Sequence, residues 1–161
     1  MGQLFAGVGI DAEHPGATNP QALEATRNLL AGLDHGFVLA NLVDTDQVFG
    51  HRHDAPGFHR ALQAIDRELG EWEALRREDD LFVLTADHGC DPAAPHTDHT
   101  REYVPLLASF AGHGSRRHDG VLADVGASVL RWLTGRDSEL PGEPFLPAAV
   151  PVASLGPAGD A

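Results

Sequence analysis

The sequence predicts the α/β fold class, with a parallel-rich sheet and helices on both faces. Two observations support this class: short, almost continuously apolar runs typical of buried strands, and amphipathic segments that alternate with those runs. Strands joined by helices take right-handed crossovers, which makes neighbouring strands parallel. In such sheets, functional sites form beyond the carboxyl ends of the strands.

The first predicted helix covers about residues 20–33, and the first predicted strand covers residues 37–43. Asn19 and Pro20 are typical of a helix start, where an N-cap precedes a proline in the first turn. The run at 37–43 is continuously apolar apart from Asn41, as expected for a strand buried on both faces.

The remaining elements follow the same alternation. Apolar residues recur at three- and four-residue steps between about 57 and 77, which predicts an amphipathic helix. Two apolar runs at 81–86 and 104–110 are predicted strands. A final helical pattern covers 121–133, and Gly135 is placed to end it.

Composition and charge narrow the possible partners. The 161 residues include 24 acidic and 11 basic side chains, for a net charge of −13. Such a chain lacks the long-range attraction for phosphate backbones and anionic lipids, so we expect neither nucleic acid nor a membrane as partner. A single cysteine and an amino terminus without a signal-peptide pattern favour the cytoplasm.

Acidic and histidine side chains cluster in the loops that leave the apolar runs. Carboxylate oxygen and imidazole nitrogen together suit Mn²⁺, Fe²⁺ or Zn²⁺, whereas Mg²⁺ and Ca²⁺ sites usually consist of oxygen alone. Taken singly, each such residue is as readily a turn former or a helix cap. Their joint occurrence favours a metal site, and the candidate ligands are Asp46, His51, Asp87, His88 and His99.

Four segments of the chain resemble bacterial phosphopentomutases of the alkaline phosphatase superfamily. They are Leu4-Phe5-Ala6-Gly7-x-Gly9-Ile10, Asn41-Leu42-Val43-Asp44-x-Asp46-x-x-x-Gly50-His51-Arg52, Thr85-Ala86-Asp87-His88-Gly89 and Thr97-Asp98-His99-Thr100-Arg101-Glu102-Tyr103-Val104-Pro105-Leu106-Leu107. The third segment is shared across the superfamily, while the second and fourth are more specific. The similarity extends from about residue 4 to 146.

The resemblance implies an alkaline-phosphatase-like core with a binuclear manganese site. Such enzymes carry a phosphoryl group on a threonine and interconvert (deoxy)ribose 1-phosphate and (deoxy)ribose 5-phosphate. Carried over, Asp46, His51 and His99 match the ligands of one Mn²⁺ ion, and Asp87 and His88 match half of the other set. Two cations would let an acidic protein act on a phosphate substrate, because they offset the phosphoryl charge locally.

Four neighbouring residues have two interpretations each. Asp44 and Asp98 could orient ligand imidazoles or form turns. Arg101 could contact phosphate or form a surface ion pair. Cys90 stands where the resembling family usually has asparagine, and it could be a soft extra ligand or a small buried filler.

The resemblance also implies that the family is more than twice as long, with its phosphorylated threonine and cap domain in an amino-terminal half. We therefore expect residues 1–146 to form a partial core domain, residues 147–161 a Pro/Ala/Gly-rich tail, and the chain alone to be inactive. It would be a fragment, a partner of a separately encoded amino-terminal half, or a degenerate protein with one metal site.

Two alternatives to a phosphopentomutase remain. A cofactor-independent phosphoglycerate mutase would share the Ala-Asp-His-Gly segment at residues 86–89. A non-catalytic metal-binding or interaction protein belongs to a different class. If core strands are absent, an unpaired sheet edge and uncovered apolar surface would favour self-association or binding of an amino-terminal half.

Overall fold

Three helices and two short strands make up the regular structure in the computed structural model of the chain, which describes residues 5–111, 115–139 and 141–146. The elements are α1 (Asn19–Gly32), a π-helical turn (Thr45–Phe49), a 3₁₀ turn (Gly50–Arg52), α2 (Ala55–Leu75), β1 (Phe82–Thr85), β2 (Leu106–Ser109) and α3 (Ala123–Thr134). They fall into two compact units, Met1–Ala111 and Gly112–Ala161. The predicted mixture of helix and strand is confirmed.

The start of α1 is bonded to the loop that carries the candidate ligand Asp46. Pro20 lies in the first turn, and Asn19 and Leu23 are buried. The Asn19 backbone N–H donates to Asp44 Oδ2 at 2.9 Å, and the Asp44 N–H donates to Asn19 Oδ1 at 2.9 Å. Asp44 therefore anchors α1, which corresponds to the turn-forming interpretation of this residue rather than to the orientation of an imidazole.

α2 begins at a capped turn and packs on α1. The Asp54 carboxylate accepts a hydrogen bond from the Gly57 N–H at 2.8 Å, satisfying one of the free donors of the first turn. Ile65 and Trp72 are the buried apolar side chains of this helix. An ion pair from Arg27 Nη2 to a glutamate of α2, at 2.9 Å, joins the two helices at their surface.

β1 and β2 form the sheet of the described residues, and they are antiparallel. Phe82 pairs with Ser109 and Thr85 with Leu106. Both strands lie inside the predicted apolar runs, but their antiparallel pairing differs from the parallel-rich sheet expected from the sequence. The alternation of strands and helices does not fix which strands become neighbours, and here the polar loop at 86–105 returns the chain directly beside β1.

Residues 37–43 were expected to be a buried strand, and the structure does not form one there. Residues 37–42 belong to neither helix nor strand, and Phe37 and Leu39 are 61% and 49% exposed. A strand needs a neighbour to satisfy its backbone groups, and the pairing of the described sheet is between β1 and β2. The apolar run showed that these side chains could be buried in a sheet, but it did not show which strand would lie beside them.

The second unit is organised around a buried carboxylate in the first turn of α3. Asp124 Oδ2 accepts hydrogen bonds from His118 Nε2 at 2.8 Å and from the Val121 N–H at 3.0 Å, and Oδ1 accepts from the Glu143 N–H at 2.8 Å. These bonds fasten the segments before and after α3 to its start. The helix ends, as predicted, at Gly135, which takes the left-handed conformation with φ of 67°.

The buried carboxylate of Asp124 should make the second unit sensitive to acid. The Glu143 N–H, the His118 ring and the Val121 N–H favour its charged form and hold the pKa of Asp124 below its usual value. The stabilisation is therefore complete above about pH 4 and is lost as pH falls through the lowered pKa. At pH 7 the unsubstituted chain should unfold at a higher temperature than Asp124→Asn, and this difference should shrink as the pH is lowered to 2. Asp119→Asn, which changes an exposed carboxylate, is the control and should follow the unsubstituted chain. If the unfolding temperature of Asp124→Asn fell with pH as steeply as that of the unsubstituted chain, this prediction would be contradicted.

Two further expectations concern the chain as a whole. The predicted tail at residues 147–161 lies outside the described residues, and the boundary at residue 146 stays a prediction. None of the helices in the described ranges combines the length and apolarity that crossing a bilayer requires.

Candidate metal centre

The first loop of the site is built from two short helical turns between α1 and α2. The π-helical turn carries Asp46, and the 3₁₀ turn carries His51. The Gly50 N–H donates to the carbonyl oxygens of Asp46 and Thr45, which closes the first turn and begins the second. Single π-helical turns occur often at functional sites, because they redirect side chains within a helix.

The second and third loops are held together by a backbone bridge. β1 ends just before Asp87 and His88, and Gly89 then pairs with Thr100 in an isolated antiparallel bridge. The Thr100 N–H donates to the Gly89 carbonyl at 3.0 Å, and the Thr100 hydroxyl oxygen accepts from the Asp91 N–H at 3.0 Å. This bridge places His88 beside His99, although His99 lies eleven positions further along the sequence.

All five predicted ligands lie in one continuous set of contacts. Asp46 Oδ1 is 3.4 Å from His51 Nε2 and 3.5 Å from His99 Nε2. The His99 ring stacks on the His88 ring with centroids 3.6 Å apart, and His88 Nε2 is 3.6 Å from Asp87 Oδ1. One ligand atom from each of Asp46, His88 and His99 lies within 4.8 Å of the others, which defines the tightest group.

Backbone carbonyls fix the orientation of two of the imidazole rings. His51 Nδ1 donates to the Thr97 carbonyl oxygen, and His88 Nδ1 donates to the Gly89 carbonyl oxygen at 3.1 Å. Because a carbonyl can only accept, each Nδ1 carries the hydrogen, and Nε2 of a neutral ring is left with its lone pair. The lone pair at His51 Nε2 then faces Asp46, and this is the arrangement of metal-ligating histidines.

Asp46 Oδ1 provides the test of whether a cation fits here. This oxygen is buried and has no hydrogen-bond partner among the described residues, and its neighbours at 3.4 and 3.5 Å are imidazole nitrogens. A buried charged oxygen without a partner is costly. Two ligands that each lie about 2.1 Å from one ion are about 3.0 to 3.4 Å apart. The observed spacing and the lone-pair donors therefore fit a divalent transition metal.

The other polar residues near the loops do not join this cluster in the same way. Asp44 instead forms hydrogen bonds with Asn19 at the start of α1. Asp98 and Arg101 are exposed at the surface of the third loop. The Asp87 side chain is 80% exposed, so it borders the cluster on the solvent side and contacts it through His88.

The single cysteine lies against the turn that carries the central carboxylate. Cys90 is half-buried, and its Sγ atom occupies the space that a side chain at position 50 would need. Burial raises the pKa of the Cys90 thiol, and the negative charge of Asp46 raises it further. The thiol is accordingly a neutral neighbour of the cluster.

Comparison with known proteins identifies the family. The model of the metalloenzyme superfamily matches residues 7–135, which include most of the first unit, the part of the second unit that contains α3, and every candidate ligand. The chain belongs to the metalloenzyme superfamily. The metal-binding expectation derived from Asp46 and the three imidazoles is consistent with this membership.

Matches to individual proteins are more informative about function than the match to the superfamily as a whole. The chain is 45% identical over 140 residues to a phosphopentomutase of Anaeromyxobacter sp. strain Fw109-5 and 50% identical over 107 residues to one of Syntrophotalea carbinolica. It is 41% identical over 146 residues to a phosphopentomutase of Acetivibrio thermocellus. The resemblance inferred from the four sequence segments is thereby confirmed.

The extent of these matches differs between the chain and its relatives. They cover 83%, 66% and 89% of this chain but 36%, 27% and 37% of the respective phosphopentomutases. The chain thus spans about a third of the length of the curated relatives it matches.

Sequence reasoning missed three features that position the cluster. It did not foresee the Asn19 contact with Asp44 or the hydrogen bond from His51 to the Thr97 carbonyl, since neither has a local periodic signal. It expected the five ligands to come together but gave no sign that the His88 ring would stack on the His99 ring. The one available signal was Gly89, a residue without a side chain that allows close backbone approach after a strand.

Proposed function

We propose that this chain carries the metal-binding region of a phosphopentomutase, which interconverts (deoxy)ribose 1-phosphate and (deoxy)ribose 5-phosphate with Mn²⁺. The observation that carries the proposal is the buried, unpartnered Asp46 Oδ1 between the Nε2 atoms of His51 and His99. The phosphopentomutase relatives, with 41 to 50% identity, support the choice of reaction within the superfamily.

The proposed ligand assignment distributes the cluster over two ions. Asp46, His51 and His99 would hold one Mn²⁺, and Asp87 and His88 would contribute to a second. The 3.6 Å stacking of His88 on His99 supports two neighbouring sites, because it brings the two sets of ligands side by side. When bound, the ions would offset charge on the transferring phosphoryl oxygens and align the attacking and leaving oxygens.

The protein's own contribution is to prepare the ligands before any ion binds. The carbonyls of Thr97 and Gly89 hold the rings of His51 and His88 in the tautomer whose Nε2 can bind a cation. Asp46 Oδ1 accepts no hydrogen bond from the described residues and so remains available to a cation. Such prepositioned groups need little reorganisation on binding, which favours affinity.

A chimaera tests the proposed function. Residues 7–135 of this chain would replace the matching region of the Acetivibrio thermocellus phosphopentomutase. With Mn²⁺, we expect the chimaera to convert ribose 1-phosphate to ribose 5-phosphate, and the same chimaera with Asp46→Ala to be at least about 100-fold slower, since metal stabilisation of the transferring group amounts to several kcal/mol. A folded chimaera that binds Mn²⁺ yet converts no faster than its Asp46→Ala form would contradict the proposal.

We also propose that residues 37–43 join a larger, parallel-rich sheet in the full-length context. Their apolar composition and the exposure of Phe37 and Leu39 support this, since such side chains are usually covered. Leu107 on β2 is likewise 61% exposed, which leaves apolar surface on the sheet for further elements. A structure of the chimaera with residues 37–43 outside the sheet would contradict the proposal.

A further inference from the structure

The helix α1 and the π-helical turn begin side by side, and each start is capped by the other. Among the described residues, the Thr18 side chain makes no capping bond to α1, and the first turn of α1 contains no acidic residue. Asp44 takes the capping role instead, because its Oδ2 accepts from the Asn19 N–H at 2.9 Å. Asp44 also directly precedes the π-helical turn, and its own N–H donates to Asn19 Oδ1 at 2.9 Å. The two bonds are reciprocal, as in a capping box, but they join segments that lie 25 positions apart.

This reciprocal pair is buried and is not optimised for stability. Asn19 is only 5% exposed. Asn19 Nδ2 and Asp44 Oδ1 are both buried without a hydrogen-bond partner among the described residues. Buried polar atoms without partners oppose folding, and a side chain at position 18 could cap α1 locally without them. The pair is therefore better explained by what it does for the π-helical turn than by the capping of α1.

The pair lies two residues before the central carboxylate of the candidate metal centre. Asn19 Oδ1 holds the backbone N–H of Asp44 at the point where the turn that carries Asp46 begins. The direction of the Asp46 side chain follows from the backbone of this turn. Asp46 Oδ1 lies 3.4 Å from His51 Nε2 and 3.5 Å from His99 Nε2, so a rotation of the turn would move this oxygen away from both rings.

We propose that Asn19 is a positioning residue for the metal centre: through its reciprocal hydrogen bonds with Asp44, it fixes the start of the π-helical turn and so holds Asp46 Oδ1 toward the imidazoles. The inference rests on the proposed metal-binding function. Asn19 is not itself a ligand, because it acts through the backbone before Asp46. Groups that orient metal ligands typically change metal affinity by about 10- to 100-fold.

Mn²⁺ titration of the chain and its variants tests this inference. Asn19→Ala removes the acceptor of the Asp44 N–H and should bind Mn²⁺ about 10-fold more weakly, at the low end of the range because Asn19 acts on the turn and not on the ligand directly. Asp44→Ala, which removes the acceptor of the Asn19 N–H, should lose a similar factor. Asp44→Asn keeps a side-chain oxygen for that N–H and should bind within about twofold of the unsubstituted chain. Asn28→Ala, which changes an exposed asparagine of the same helix, is the control and should bind normally. Free Mn²⁺ would be followed by electron paramagnetic resonance, well below the unfolding temperature of each metal-free form.

The outcomes separate this inference from the proposed function. Absence of Mn²⁺ binding by the unsubstituted chain would overturn both. Equal binding by the unsubstituted chain and Asn19→Ala would overturn the positioning role alone. Binding by Asp44→Asn as weak as that of Asp44→Ala would show that Asp44 acts through its charge and not through the hydrogen bond, which also overturns the positioning role. If Asn19→Ala did not fold, the two Asp44 variants would decide: equal binding by Asp44→Ala and the unsubstituted chain would overturn the role, whereas a loss in Asp44→Ala with rescue by Asp44→Asn is the expected result.

Discussion

Replacing Asp46 with alanine should reduce Mn²⁺ affinity by at least about 100-fold, above the range typical for partners that only orient a ligand. Asp46 Oδ1 is the atom shared between His51 Nε2 and His99 Nε2, and its carboxylate supplies negative charge at the centre of the cluster. Without it, three imidazoles would remain, with no carboxylate between them. Calorimetric titration with Mn²⁺ measures the loss.

The same substitution should leave the metal-free chain as stable as before, or more stable. A buried charged oxygen without a partner opposes folding, so its removal relieves a cost rather than breaking a hydrogen bond to Oδ1. Asp98→Ala is the matched control, because Asp98 is an exposed carboxylate next to His99. It should bind Mn²⁺ like the unsubstituted chain. Retained affinity in Asp46→Ala would contradict the assignment of Asp46.

Gly89→Ala should disrupt the metal centre through the backbone. A Cβ at position 89 would lie 2.8 Å from the Thr100 carbonyl oxygen and 2.6 Å from Glu102 Oε2. The glutamate side chain can move, but the Thr100 carbonyl belongs to the bridge that holds the loops of His88 and His99 together. We expect Mn²⁺ affinity to fall by roughly tenfold or more and stability by about 1 to 3 kcal/mol, as for an overpacked site.

Gly70→Ala is the control for Gly89→Ala. Gly70 lies inside α2, and a Cβ there would meet nothing within 4 Å. Alanine stabilises a helix interior relative to glycine by roughly 0.5 to 1 kcal/mol, so this variant should unfold at a slightly higher temperature and bind Mn²⁺ normally. If Gly89→Ala behaved like Gly70→Ala in both measurements, the bridge would not be what aligns the two histidines.

The helices were predictable because their signals are local. Periodic apolar residues located α2 to within two residues at each end, and Gly135 correctly marked the end of α3. The same reasoning failed at residues 37–43, where a continuous apolar run was interpreted as a buried strand. The physical reason is that a strand forms only beside a neighbouring strand. That neighbour is often distant in sequence, so the apolar run itself carries no information about it.

The candidate site was predictable in its residue types more than in its arrangement. Carboxylates and histidines after apolar runs indicated a metal site, and the structure brings all five residues into contact. The placement of His88 against His99 depends on one backbone bridge between Gly89 and Thr100. The hydrogen bond between His118 and Asp124, in the second unit, was equally unpredictable. It joins the segment before α3 to the first turn of that helix, and helical periodicity does not extend to such a segment.

The most direct test of the metal centre is an anomalous-difference map from crystals of the chain grown with Mn²⁺. We predict a manganese peak at coordination distance, about 2.1 Å, from Asp46 Oδ1 and from Nε2 of His51 and of His99. His51 and His88 should keep the hydrogen bonds that their Nδ1 atoms make to the Thr97 and Gly89 carbonyls. A map at full Mn²⁺ saturation with no peak beside Asp46 Oδ1 would contradict the assignment of this cluster as a metal centre.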